Sequence, residues 1–303
     1  MSDVHDMSYY VKCMGGGILS CGLTHTAVVT LDIIKCRRQV DATVYKSLGD
    51  GFTKIRAAEG IRGLTVGWAP TLAGYSAQGF GKFGFYEIFK DVYRGIVGEE
   101  NAAKYQTTGF LVSSACAEVI ADTLLCPFEA LKVRMQTDMT GEFPRSFGAG
   151  WNKIMSAEGW NGFYQGLVPL WCRQVPYTMV KFAAFERTVR FMYSSIFNKK
   201  PKSEYSKGFQ LFITFLSGYW AGIFCAIVSH PADTMVSKLN NMSGDANASI
   251  GSKVGKIYGE IGFAGLWRGL VTRIIMIGTL TGLQWWIYDS FKVATGLQAS
   301  GGK

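Results

Sequence analysis

A ten-residue pattern occurs three times in this chain, and its spacing limits the fold more than any other feature. Thr30–Gln39, Pro127–Gln136 and Pro231–Asn240 each follow a long apolar run. Each carries an acid (Asp32, Glu129, Asp233) and ends in an amide (Gln39, Gln136, Asn240). Lys35 and Lys132 stand three positions after the first two acids, and Val236 takes that place in the third copy. The acids are 97 and 104 residues apart. Acid–base pairs at the ends of apolar helices are costly unless they meet partners, so three copies in register suggest one shared device. Charges snorkelling at a helix end would explain a single copy equally well.

Aligned on this pattern, the chain divides into repeats at 1–100, 101–205 and 206–303. Each has the same plan: apolar run, motif, polar linker, glycine-rich turn, second apolar run. A period of this length implies three helical hairpins rather than two soluble domains. Composition agrees. The chain is 48% hydrophobic and 17% charged, with a positive mean hydropathy of +0.13, whereas soluble proteins carry about 25% charge. The spacing therefore predicts an all-α membrane protein of six transmembrane helices, with short surface helices over 45–59, 148–157 and 249–260. Gly15, Gly16, Gly17 and Gly22 suit close helix contact in the first run. Gly67, Gly166 and Gly269 correspond as the turns that open the second runs.

The net charge of +9 has two ordinary readings, nucleic acid or an anionic membrane surface with an anionic substrate. Basic residues are spread beside the apolar runs and form no basic tail, which argues against nucleic acid. The seven cysteines contain no CxxC pair and fall mostly in apolar segments, as small core residues do. The first ten residues contain two Asp and no Arg, so a targeting signal is expected internally. No GxxxxGK[ST], GxSxG or HExxH motif points to an enzyme.

The second run of each repeat also ends alike. Tyr86-Glu87 is followed by Lys90, and Tyr288-Asp289 by Lys292, while Phe185-Glu186 is followed by Val189 where a base belongs. Two belts of charge result, one near each end of the bundle.

Three repeats of about a hundred residues, with Pro-x-Asp/Glu-x-x-Lys/Arg closing each odd helix, resemble the mitochondrial carrier family. Within it, Gly22-Leu23-Thr24-His25-Thr26, Gly74-Tyr75-Ser76-Ala77-Gln78-Gly79, Arg173-Gln174-Val175-Pro176-Tyr177 and Ser229-His230-Pro231-Ala232-Asp233 resemble its phosphate-transporting branch. The resemblance implies a threefold pseudosymmetric bundle in the mitochondrial inner membrane, a secondary transporter moving phosphate with a proton (or against hydroxide) into the matrix. It implies no chemical cofactor beyond bound cardiolipin, and no obligate protein partner. Carried over by position, Asp32 would meet Lys132, Asp233 would meet Lys35, and Glu129 would face Val236 without a partner, forming a matrix-side gate. Gln39 and Gln136 would brace it. Glu87, Glu186 and Asp289 would pair with Lys90 and Lys292 in a cytosolic gate. With a base missing from each, both gates should close weakly. Thr30 replaces the usual proline, which should soften the bend of the first helix because Thr30 keeps its N–H.

The helical angle places Glu118, Asp122, Glu129 and Lys132 within about 80° of one another, and His25 about 20° from Asp32. An acidic stripe in an apolar span is expected to face a wet cavity. Lys82 and Lys181 both lie 15 residues after their turn glycines, with Gln284 as the third counterpart. Thr71, Gln78 and Lys82 share a face, as do Gln174, Tyr177 and Lys181. Arg173 and Gln174 stand where the family's substrate contact lies; their counterparts are Gly74 and Tyr75, then Met276 and Ile277. A guanidinium fork and two lysines suit a small oxyanion. These cations could instead pair internally with Glu118 and Asp122. His25 is the proton candidate, with those two acids near it; a core histidine bonded to backbone is the plainer reading. Cys21, four residues before His25, leaves a copper-carrying relative open, and a receptor or scaffold without flux would tolerate changes at Lys82 and Arg173.

Overall fold

A computed structural model describes residues 5–41, 43–198, 200–240, 250–267 and 270–300. The side chains of Gln39, Asp233, Val236 and Asn240 lie outside the described set. The three odd helices are α1 (Met7–Ala27) continued by α2 (Val29–Val40), α6 (Gln106–Thr137) and α9 (Lys207–Asn240). The even helices are α4 (Trp68–Val97), α8 (Leu167–Phe191) and α11 (Leu270–Ala294). Between them run the surface helices α3 (Leu48–Gly63), α7 (Phe147–Tyr164) and α10 (Ile250–Leu266), while α5 (Glu99–Lys104) joins the first two repeats. The long helices pack in the circular order α1, α4, α6, α8, α9, α11 and back to α1. This is a ring of three hairpins.

Glycine permits the closest of these contacts. A Cβ on Gly17 would lie 2.1 Å from the Gly79 carbonyl oxygen, and one on Gly79 would lie 2.0 Å from that of Gly17. Gly218 with Gly282 and Gly222 with Gly278 repeat the arrangement between α9 and α11. Apolar lipid gives helices no hydrophobic reason to associate, so backbone approach through small residues must hold the bundle.

Gln106–Thr137 and Lys207–Pro231 are each long and apolar enough to cross a membrane, and Met7–Ala27 with Val29–Arg38 qualifies as one broken span. The even helices have 30, 25 and 25 residues, sufficient in length. Inward polar residues such as Lys82, Glu87, Lys181 and Glu186 make α4 and α8 less apolar.

The first helix departs from the sequence expectation. Instead of a softened bend it is broken by 57° around Val28, whereas α6 and α9 continue through Pro127 and Pro231. The cause lies one turn earlier. Thr24 and Thr26 donate their hydroxyls to the carbonyls of Ser20 and Gly22, and His25 Nδ1 lies 2.9 Å from the Cys21 carbonyl. Such back-bonding competes with the helical ladder and bends it.

Each surface helix turns at one residue with positive φ: Gly60 at 68°, Gly159 at 62° and Gly262 at 61°. A side chain would strain that backbone. Gly67 is left-handed at φ 83°, but its counterpart Gly166 is not, at −88°, and Gly269 lies outside the described residues. Ser47 and Ser146 cap α3 and α7 by accepting from Asp50 N and Ala149 N. At the same level Glu59 bridges Arg37 and Arg145, and Arg134 holds Glu158 at 2.5 and 2.7 Å. Burial raises the Glu59 carboxyl, but its two guanidiniums hold it below its usual value.

Replacing Gly79 with Val should destabilise the protein by about 3 kcal/mol or more, the upper range for overpacking. A Cβ added at Gly95 would meet nothing within 4 Å, so Gly95→Ala should cost nothing. Thermal unfolding of the detergent-solubilised protein checks both.

Candidate functional site

The polar side chains inside the bundle fall into layers. At the end that holds the chain termini, Lys90 Nζ lies 3.0 Å from Glu87 and 3.5 Å from Glu186. Tyr9 donates to Glu87 at 2.9 Å. Asp289 differs from its sequence assignment, because among the described residues it forms no ion pair with Lys90 or Lys292. It accepts from Thr214 at 2.8 Å, and from the Ser300 N–H at 2.9 Å and hydroxyl at 2.7 Å. The C-terminal segment folds back to do this, with Lys202 gripping the Ala299 and Ser300 carbonyls. Lys292 lies instead over the rings of Tyr9 and Tyr288, at 5.7 and 5.3 Å.

Below this belt the even helices contribute an aromatic layer with the repeat's own symmetry. Phe83 and Tyr86 from α4, Phe182 and Phe185 from α8, and Trp285 and Tyr288 from α11 are all at most 1% exposed. Ring centroids lie 3.5 Å apart for Phe185–Trp285, 4.2 Å for Phe83–Tyr288 and 4.4 Å for Tyr86–Phe182. The layer seals that end. The sequence marked Tyr86, Phe185 and Tyr288 as part of the even-helix motif, but not the companion ring one turn before each.

The centre is polar and buried. Lys82 Nζ lies 2.9 Å from Glu118, and Gln78 Nε2 donates to both Glu118 and Asp122 at 3.1 Å. Two members of the acidic stripe do not face a cavity as expected: Glu118 and Asp122 are 0% exposed, held by Gln78 and Lys82 from the neighbouring helix. Lys181 has a different environment. Its ammonium donates to Gln284 Oε1 at 2.7 Å and approaches the Tyr177 ring at 6.0 Å, and no described carboxylate pairs with it. Gln284 Nε2 reaches Thr24 and the ring of His25, each at 3.4 Å. Thr71 is buried, and its hydroxyl donates to the Gly67 carbonyl at the start of its own helix. His25 Nδ1 faces the Cys21 backbone carbonyl rather than its thiol.

Toward the motif end, His25 stacks on Tyr75 with centroids 3.7 Å apart and planes 8° from parallel. Lys132 Nζ lies 5.2 Å from the same tyrosine ring, 3.1 Å from Asp32 and 3.4 Å from Glu129. Glu129 is thus not the acid left alone, since Lys132 of its own helix serves both carboxylates. Lys35 is exposed, and Asp233, its assigned partner, lies outside the described residues, as do the side chains of Val236 and Gln39. Gln136 does not brace the ring: it donates to the Val66 carbonyl at 3.2 Å. Arg173 is exposed, Gln174 half-buried, and Arg173 lies within electrostatic reach of Tyr75. Asp32 and Glu129 are 29% and 20% exposed, so the charge group at this end is more open than the buried centre. His230 is buried beside Trp267.

The family model described as "Mitochondrial carrier protein" matches residues 6–96, 104–195 and 208–297, once per repeat. The chain belongs to the mitochondrial carrier family. It is 58% identical over 289 residues to the "Phosphate carrier protein, mitochondrial" of Caenorhabditis elegans, covering 95% of this chain and 82% of that protein. A "Probable mitochondrial phosphate carrier protein" of Schizosaccharomyces pombe is 53% identical, covering 97% and 93%. "Mitochondrial phosphate carrier protein 3, mitochondrial" of Arabidopsis thaliana is 52% identical, covering 99% and 78%. This carrier therefore works in the mitochondrial inner membrane.

Removing one partner of a buried ion pair leaves an uncompensated charge. Glu118→Leu should destabilise this carrier by about 3–5 kcal/mol, and Lys82→Met in the same chain should recover most of that loss. Denaturant unfolding of the single and double variants reads the difference.

Proposed function

We propose that this carrier moves inorganic phosphate into the matrix together with a proton, or equivalently in exchange for hydroxide, by alternating access. The relatives named above are phosphate carriers, which supports the substrate. The observation that carries the reading is Lys181, a cation 3% exposed and held by an amide rather than a carboxylate. A buried ammonium so placed is stabilised by an arriving anion. Arg173, open to the matrix side, adds the planar fork that fits two phosphate oxygens.

Lys82 completes the set. In the present arrangement it is neutralised by Glu118, with Asp122 beside them. A phosphate between Lys82, Lys181 and Arg173 competes with Glu118 for Lys82, and a carboxylate so released is a base that can accept a proton. Gln78 stays within hydrogen-bond reach of both acids, while Gln174 and Tyr177 line the α8 side. Substrate and proton then neutralise one another inside the bundle. The Asp32–Lys132–Glu129 group acts as the matrix gate. On the cytosolic side, Glu87, Lys90 and Glu186 with the aromatic layer beneath form the opposing gate. Transport requires both arrangements to lie within a few kcal/mol of one another, which few-membered charge rings favour.

Arg173→Ala should abolish phosphate uptake into proteoliposomes while leaving thermal stability unchanged, because Arg173 is exposed and forms no ion pair among the described residues. Normal uptake by that variant would remove Arg173 from the substrate site. His25→Ala should weaken uptake driven by a pH gradient more than it weakens phosphate/phosphate exchange. Equal loss in the two assays would take the proton role from His25.

A further inference from the structure

The stack of His25 on Tyr75 has no counterpart in the other repeats. Seven residues before each motif acid stand His25, Asp122 and Ala226, and the positions equivalent to Tyr75 are Gln174 and Ile277. At these aligned positions only the first repeat sets an imidazole against an aromatic ring, and the gate cation Lys132 lies 5.2 Å from that ring's centroid. Asp32, Glu129 and Arg173 are the other charges within electrostatic reach of Tyr75. Around His25 the charged groups within reach are Lys82 on α4, Lys132 on α6 and Lys181 on α8. From α11 it meets the neutral amide of Gln284.

We propose that the Tyr75 ring is a positioning element that couples the charge on His25 to the matrix gate. The inference rests on the proposed proton-coupled transport and on His25, tested above by His25→Ala, also carrying the transported proton besides the released carboxylate. An aromatic face attracts a cation through its quadrupole. With His25 neutral, Lys132 alone draws on the ring, in addition to Asp32 and Glu129, and the gate lysine is held. Once His25 is charged, two cations share one ring and repel across it, and the hold on Lys132 weakens. Through Asp32, Lys132 supplies the ion pair between α2 and α6 at the motif end, alongside the Arg37–Gln136 hydrogen bond. A proton on His25 therefore favours parting of that gate.

The direction suits net import. A proton taken up with the substrate promotes opening toward the matrix, and its loss there restores the grip on Lys132. The stack also lies next to the break at Val28, the point about which α2 can swing relative to α1. Coupling through a shared ring requires the aromatic face, not the tyrosine hydroxyl.

Tyr75→Phe and Tyr75→Leu, reconstituted in liposomes with labelled inorganic phosphate, test this. The quantity read is the ratio of uptake driven by a pH gradient to phosphate/phosphate exchange. Tyr75→Phe should keep the wild-type ratio, and Tyr75→Leu should lower it about thirtyfold, the factor expected for one lost cation–π contact in a desolvated site. An unchanged ratio in Tyr75→Leu overturns the coupling. So does a proportional loss of both activities, which marks a packing role, or an equal fall of the ratio in Tyr75→Phe, which assigns the effect to the hydroxyl. A wild-type carrier that takes up no phosphate fails the transport reading itself, an outcome visible before either variant is compared.

Discussion

The structure depends on how charge is kept inside an apolar bundle. Ions in a membrane interior are costly unless paired or hydrated. Here Lys82, Glu118, Asp122 and Lys181 are buried together. Lys82 is matched to Glu118 and Asp122 is held by Gln78, but Lys181 has only the amide of Gln284. The polar centre has one cation matched and another not, an imbalance of the kind an anionic substrate corrects. Helix packing serves this centre: the Gly17–Gly79 and Gly222–Gly278 approaches draw the backbones close enough to exclude lipid from it.

The two ends of the bundle are closed by different physics. At the end opposite the motif a symmetric aromatic layer from α4, α8 and α11 fills the section, and the charges above it are held partly by Tyr9 and by Ser300. On the matrix side Lys132 ties Asp32 and Glu129 together, while Arg173 remains accessible. Aromatic packing is little affected by charge, whereas a single lysine between two carboxylates responds to every ion placed near it. The matrix gate is thus the more sensitive to what the central site holds.

Much of this was legible in the sequence, for physical reasons that also mark where legibility ended. Fixed helical geometry and a strict repeat located the odd and even helices, the surface helices between them, and the approach of Asp32 to Lys132. What depended on a neighbouring element was not legible. Asp289 is satisfied by Ser300, eleven residues later in the chain, through a fold-back that no periodicity announces. Glu118 and Asp122 are buried against Gln78 and Lys82 of the adjacent helix. The break of the first helix follows from back-bonding by Thr24, His25 and Thr26, so the missing proline at Thr30 was the wrong residue to weigh. Tyr75 could have been noticed as the aromatic counterpart of Gln174, but its contact with both His25 and Lys132 requires three helices in place.

The central claim is that phosphate and a proton cross together. The direct measurement is the initial rate of labelled phosphate uptake into liposomes holding the purified carrier, with the lumen either at the external pH or more alkaline. Coupled transport predicts uptake that rises with the imposed gradient and an accompanying alkalinisation of the medium as protons enter with the anion. Phosphate uptake indifferent to the gradient, or no phosphate uptake by a folded carrier, would contradict it.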